Sequence, residues 1–354
     1  MTIAIRSTEP GYVPSLYFGE SYGHLTAVEA GGTWFTVTDP TGGFQVPLIT
    51  RKIGQWQDGV SPYGYSGVFV SPGLSDSLLR RHWSAFIDML RSAGIISLFL
   101  RFTPWDAVSS DRVANLPFAT VRHLSDTILV PIQDLDQTWT QMTGRSRTAI
   151  RQARKHGLTA QVVALDASIS RPDHAFRYLY DLSMRRLHAG QEYFFSDDYF
   201  HRCFEVLGDC TRLAVVKDAE ATIVAAALLF VDGERLHYHL SASNLGAAHR
   251  GANNLLLWTA AEWGNQKGLK WFHLGGGTRP NDSLFSFKAS FGGQRCHYLV
   301  GTVIVDSDRY HALTAERAHS LGCEVTDLLA TKYFPAYRVP RTMIEGVNVE
   351  SFYS

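Results

Sequence analysis

The stretch from Thr211 to Leu274 restricts the possible folds of this chain more than any other. Three strand-like runs, Arg212 to Lys217, Thr222 to Phe230 and Arg235 to Ala242, are separated only by the turn-prone segments Asp218-Ala219-Glu220 and Asp232-Gly233. Connections that short join antiparallel neighbours, so the runs form a meander. Gly251 to Lys267 follows with helical spacing, its Leu255, Leu256, Trp258, Thr259 and Trp263 suited to burial, and Gly268 ends it before the strand Leu269 to Leu274. A helical crossover is what parallel pairing requires, so the last strand is expected to lie parallel to its partner. A mixed α/β layer meets both demands.

The same logic extends in both directions. Trp139 and Met142 mark a short helix, Gly144 interrupts it, Ser146 to His156 form another stopped by Gly157, and Thr159 to Leu165 read as a strand. Phe176, Leu179, Tyr180, Met184 and Leu187 stripe one helix, and Ser196 caps the next, which holds Phe200, Phe204 and Leu207. Near the amino terminus come the strands Trp34 to Val37 and Phe44 to Ile49, then a helix from Ser75 to Gly94 whose Leu79, Trp83, Phe86, Ile87 and Leu90 share a face. The apolar run Ile95 to Phe102 follows as a strand covered on both faces, ended by Pro104. Two related α/β modules are therefore expected, one over 1–134 joined by the tail 320–354 and one over 135–319.

Composition narrows the function. With 354 residues, 45% of them hydrophobic, the chain can bury two cores. Lys and Arg number 33 and Asp and Glu number 33, so bulk charge cannot coat a nucleic acid, and any such contact needs a local cluster. Cys203, Cys210, Cys296 and Cys323 form neither a CxxC motif nor a dense framework, which fits a reducing compartment. Residues 1–12 lack an apolar core of the kind an export signal has, and no run approaches the roughly 20 apolar residues of a membrane span. A cytoplasmic protein with neither membrane span nor DNA partner is expected.

Several catalytic signatures fail. Gly64-Tyr65-Ser66-Gly67-Val68 lacks the final glycine of a serine nucleophile elbow, no Walker A lysine occurs, and Gly275-Gly276-Gly277-Thr278-Arg279-Pro280 begins like a dinucleotide fingerprint but ends in proline. His237 and His239 share one strand face and His273 lies on a later strand; hydrogen bonding in a half-buried sheet accounts for them better than a metal, and no metal site is assigned. Two features remain. Arg145, Arg147, Arg151, Arg154, Lys155 and His156 make one helix the most concentrated positive charge in the chain, either a phosphate contact or a solvated face. In LKWFHLGGGTRPNDSLFSFKASFGG (269–293), a strand runs into three glycines, and Leu284, Phe285, Phe287 and Phe291 frame a single cation, Lys288. Glycines allow a ligand or another backbone to approach closely, and a desolvated ammonium either neutralises developing negative charge or moves a proton.

This last pattern, Gly-Gly-Gly, then Asp282-Ser283-Leu284, Phe287-Lys288 and Phe291-Gly292, resembles the FemX/FemA/FemB-like aminoacyltransferases and their relatives in the GNAT superfamily. The likeness runs back through RTAIRQARKHG (147–157), YDLSMRRLHAGQEY (180–193) and the meander ending His237-Tyr238-His239-Leu240. It implies two tandem GNAT-like modules and transfer of an aminoacyl group from aminoacyl-tRNA to an amine, with Lys288 and Phe287 at the transfer step and no bound cofactor. On this reading the acceptor is a small molecule or peptide, a cell-wall precursor or a peptide-like natural product. Arg185, Arg186, Tyr193, Gly275, Gly276, Gly277, Tyr238 and His239 are the expected substrate-binding residues, and Arg147, Arg151, Arg154 and Lys155 the expected tRNA contacts. Arg185 and Arg186 have an alternative as surface partners of Asp181 or Glu192. Acyl-CoA is the second donor, although the superfamily's phosphate loop appears only in the shortened form Arg250-Gly251-Ala252-Asn253. A noncatalytic module binding a peptide or nucleotide is the third reading.

Overall fold

A computed structural model describes residues 3–6, 12–190, 193–279 and 281–344. The chain divides into two compact units: residues through Leu124 together with those from His297 on, and Ser125–Cys296.

The first unit opens with β1 (Ala4–Arg6), α1 (Glu20–Glu29), β2 (Thr33–Thr38), β3 (Phe44–Ile53), β4 (Trp56–Val60) and β5 (Phe69–Val70). Helix α2 (Asp76–Ser92) starts where the Ser75 hydroxyl accepts the Leu78 amide and stops before Gly94, whose φ of +70° is a left-handed value. Its Leu79, Trp83, Phe86, Ile87 and Leu90 are buried against the sheet, as their spacing requires. It delivers the chain to β6 (Ile95–Arg101), parallel to β4 from Gln57↔Ile95 to Val60↔Phe99. Helix α3 (Ala107–Ala114) and β7 (Ala119–Pro131) come next.

The second unit takes β7 from Ser125 onward, then α4 (Leu135–Gln141), α5 (Gly144–Lys155), β8 (Thr159–Ala164), α6 (Ala175–Arg186) and α7 (Asp197–Glu205). The antiparallel meander is β9 (Thr211–Lys217), β10 (Ile223–Asp232) and β11 (Arg235–Ser243). After α8 (Leu245–His249), α9 (Ala252–Gln266) crosses to β12 (Trp271–Gly275), and α10 (Ser283–Ala289) follows. Strand order in this unit is β7-β12-β11-β10-β9-β8, with β11 and β12 parallel and β7 antiparallel to β12. Leu255, Leu256 and Ala260 of α9 pack on Ala225, Ala227, Leu229, Leu236, Phe272 and Leu274. Each fully buried leucine contributes roughly 1.5–3 kcal/mol. Helix α6 packs on β10 and β11, and its Phe176 meets Phe200 of α7 edge to face.

From His297, β13 (Gln294–Ile304) belongs to the first unit, where it pairs antiparallel with β6 from Val300↔Arg101 to Ile304↔Ser97. Helices α11 (Ser307–Leu321), α12 (Val325–Ala330) and α13 (Arg341–Ile344) complete that unit. The tail is tied in by Arg338, which with Arg51 clasps the fully buried Asp58 carboxylate, and by a 2.7 Å hydrogen bond between Tyr337 and Ser97. Both units share one plan: helix, three antiparallel strands, helix, and a strand parallel to the third.

Candidate active site

The parallel register of β11 with β12 covers only Arg235↔Trp271 to His237↔His273, yet β11 continues to Ser243 and β12 to Gly275. The parallel pairing ends there, and beside this fork Tyr238 of β11 meets the segment that runs from Gly275 to Lys288. Asp282 caps α10: one carboxylate oxygen accepts the Phe285 amide at 2.7 Å, the other the Thr278 amide and hydroxyl, both at 2.7 Å, and the Arg279 amide at 3.0 Å. Burial pushes the Asp282 carboxyl up, but the hydrogen bonds from Phe285, Arg279 and Thr278 outweigh this and hold it below its ordinary value.

Lys288 lies in the last turn of α10 and is 8% exposed. Its Nζ donates to the Gly276 carbonyl at 2.5 Å and sits 5.7 Å from the ring centre of Tyr238. Desolvation lowers its pKa to about 8, and Asp282 opposes the shift. The ring that Nζ lies over thus comes from β11, not from the aromatics beside Lys288 in the sequence. Phe287 and Phe291 meet edge to face at 5.6 Å in the core, and the Arg295 guanidinium covers the Phe285 ring at 4.7 Å.

The three glycines answer to protein neighbours. Gly275 has a φ of +71°, a Cβ on Gly276 would stand 2.6 Å from the Asp126 carbonyl, and one on Gly277 would strike the Asp282 carboxylate at 2.2 Å. Of the two expectations for this turn, ligand or backbone, close approach by the protein itself is what the structure displays.

A bulge organises β11. Leu228 faces Leu240 while Leu229 faces Tyr238, so His239 is the extra residue. This shift brings Ser241 to the face of Tyr238, whose hydroxyl donates to the Ser241 hydroxyl at 2.5 Å; residues three apart on a regular strand point to opposite faces. Burial raises the Tyr238 hydroxyl to about 12, opposed by the Ser241 hydrogen bond. Tyr238 and His239, both expected at the substrate, face opposite sides. His239 stacks on Phe230 at 4.2 Å and bonds the Tyr199 hydroxyl through Nε2 at 2.6 Å, and desolvation lowers it to about 3. His237 and His273 meet through their Nδ1 atoms, 3.4 Å apart, while His239 bonds Tyr199.

The basic helix is α5, and its charges are unequally engaged. Arg147 donates to the carbonyls of Trp139, Thr140 and Met142 at 2.7–3.1 Å, capping the end of α4. Arg154 pairs with Glu262 of α9 at 3.3 Å, while Arg151 lies over the Trp139 ring and Lys155 is exposed. Helix α5 touches the C-cap of α10 through Ser146 and Ser290, whose hydroxyls are 2.6 Å apart. Arg185 and Arg186 stand exposed in the last turn of α6, Arg185 over the Phe194 ring, and no hydrogen bond or ring contact joins either to Lys288 among the described residues. Tyr193 is half-buried and its amide donates to the Gly190 carbonyl at 3.1 Å; Glu192, the alternative partner for the arginines, lies outside the described residues. Sequence reasoning missed Ser241 and the closeness of Asp126, both of which depend on a bulge or a long-range approach with no local signal.

Residues 144–285 match the family described as acetyltransferase (GNAT) domain. No curated protein matches the chain. Among solved structures it is similar to FemX, at 14% identity with a TM-score of 0.63, covering 82% of this chain and 92% of that one. It is also similar to the C-terminal domain of a putative lysylphosphatidylglycerol synthetase from Agrobacterium fabrum, at 16% identity and a TM-score of 0.55, covering 84% and 95%. L-PGS from Bacillus licheniformis follows at 15% identity and a TM-score of 0.53, covering 80% and 86%. The chain therefore has a FemX-like fold of the GNAT type, the mixed α/β architecture expected from its sequence. No helix among the described residues is long and apolar enough to cross a membrane.

Proposed function

We propose that the protein is an aminoacyltransferase that takes an aminoacyl group from charged tRNA and forms an amide on an amine of a small or peptidic acceptor. The observation that carries this reading is the buried Lys288 ammonium at the fork, held by the Gly276 carbonyl and lying over Tyr238. An aminoacyl ester brings its own leaving group, so the protein needs chiefly to orient the amine and to stabilise the oxyanion. The amine nitrogen bonds to the ester carbonyl carbon, the bond to the terminal ribose oxygen breaks, and the proton lost by the amine ends on that oxygen. Lys288 supplies the positive charge and hydrogen bonds for the oxyanion, with Phe287 packed behind it. Gly275, Gly276 and Gly277 shape the floor and Tyr238 one wall.

For the tRNA, α5 offers Arg151 and Lys155, while Arg147 and Arg154 serve first as structural contacts. Arg185, Arg186 and Tyr193 contact the acceptor on this reading, and His239 supports the β11 bulge. The match to the acetyltransferase domain family favours a second reading, acyl-CoA as donor. Incubation with a pool of charged tRNAs and candidate amines, with and without ribonuclease, separates the two by the mass of new amides. Ribonuclease-sensitive product is expected; product formed only with acyl-CoA would replace the first reading by the second.

A further inference from the structure

The sheet of the second unit ends in β8, which among the described residues pairs only with β9, from Thr159↔Lys217 to Ala164↔Arg212. Thr159, Gln161 and Ala164 are exposed, and no backbone group of 159–164 bonds to the described residues beyond that ladder. One row of N–H and C=O groups along β8 is therefore open to a further strand. Proteins blunt such edges by brevity, lysine, proline or a bulge. At the edge of the first unit, β1 is three residues long. In contrast, β8 has six residues, TAQVVA, with no charge, no proline and an unbroken register.

The charges beside β8 select what fits. Lys155 and His156, both exposed, precede the strand, and the exposed Asp166 follows it. A second β8 laid antiparallel along the edge sets base against acid at both ends, whereas a parallel copy would set like against like. Two identical strands paired antiparallel also make a closed twofold contact that leaves no edge for further growth. The register follows from the pleat. Directly opposite residues point to one face, so the axis passes between a residue and its own copy. With the axis at Gln161, Thr159 faces the partner's Val163, Ala160 the partner's Val162 and, beyond the strands, His156 the partner's Asp166. An axis at Val162 would instead set Leu158, buried in the core, against the partner's Asp166.

The geometry points to a homodimer in which the β8 strands of two copies pair antiparallel about a twofold axis at Gln161, joining the two sheets edge to edge. It is independent of the donor and acceptor. Sedimentation velocity of the full chain tests it: the mass is expected to double as concentration rises through the micromolar range. Gln161→Lys alters a position that is exposed in the single chain and sets two ammonium groups against each other at the axis. It should abolish the doubling with the melting temperature unchanged. Gln161→Cys should form an interchain disulfide on treatment with diamide, because Cα atoms opposite one another in an antiparallel pair lie about 4.5–5.5 Å apart, within disulfide reach. The wild-type chain, which has no cysteine in β8, should not cross-link under the same treatment. A chain that stays monomeric, or a dimer that survives Gln161→Lys, overturns the proposal. A dimer that Gln161→Cys fails to cross-link overturns the axis at Gln161.

Discussion

At the scale of single residues, the candidate site centres on one buried ammonium, that of Lys288. Replacing Lys288 by Met keeps its length and removes its charge. Turnover should fall at least about tenfold, the loss of roughly 1.4 kcal/mol of transition-state stabilisation. Circular dichroism and the melting temperature should show an intact fold, since the buried charge itself costs stability. The linkage has a definite sign: folding lowers the Lys288 pKa from 10.5 to about 8, so between those values the unfolded chain holds a proton that the native protein has released. Stability from this group therefore rises with pH across that window. Activity should run the other way, declining as pH rises through about 8, because the role proposed for Lys288 requires its charged form. A profile still climbing at pH 9 would mean that neutral Lys288 acts as a base. Sequence reading reached Lys288 because a lone cation among aromatics after three glycines stands out locally. It did not reach Tyr238 as the ring beneath that cation, since only the folded sheet brings β11 to α10.

At the scale of elements, the turns and caps set where Lys288 points. Asp282 satisfies the first turn of α10 and the preceding loop together, so Asp282→Ala should cost about 1–2 kcal/mol in chemical denaturation and lower turnover as well. Helix α5 divides into two kinds of arginine, which separate experimentally. Removing the charges of Arg151 and Lys155 should weaken tRNA binding and reduce its salt slope by up to about one per lost phosphate contact, with a minimal aminoacyl ester still used normally. Arg147→Ala should instead lower the melting temperature, because three carbonyls at the end of α4 lose their donor. Equal losses with tRNA and the minimal ester in the first pair of variants would make α5 purely structural. Elements themselves were legible: the spacing in α2 and α9, the turn at Asp232-Gly233 and the capping Ser196 all declare themselves within a few residues. The β11 bulge did not, because a bulge is defined by register against a partner strand. The engagement of Arg147 and Arg154 likewise depends on what packs beside α5.

At the scale of the whole molecule, the alternation of strands and crossover helices made the α/β class legible, whereas the closure of each sheet was not. In each unit the strand lying against the crossover strand comes from a distant part of the chain: β13 beside β6, and β7 beside β12. The clasp around Asp58 is a similar long-range event. Arg338→Met would leave the buried carboxylate with Arg51 alone and should destabilise the first unit by about 3 kcal/mol, read as a shifted denaturation midpoint. The placement of β13 also has a meaning in time. A ribosome releases β6 long before it makes β13, with residues 125–296 emerging in between, so the first unit must wait with an open strand edge while the second is synthesised. The second unit is uninterrupted and carries its own β7, free to fold during that wait. A nascent chain halted after residue 296 should accordingly show a protease-resistant segment beginning near residue 125 and an amino-terminal part that is cut readily or binds chaperones. The later-numbered unit would then be the earlier one to fold.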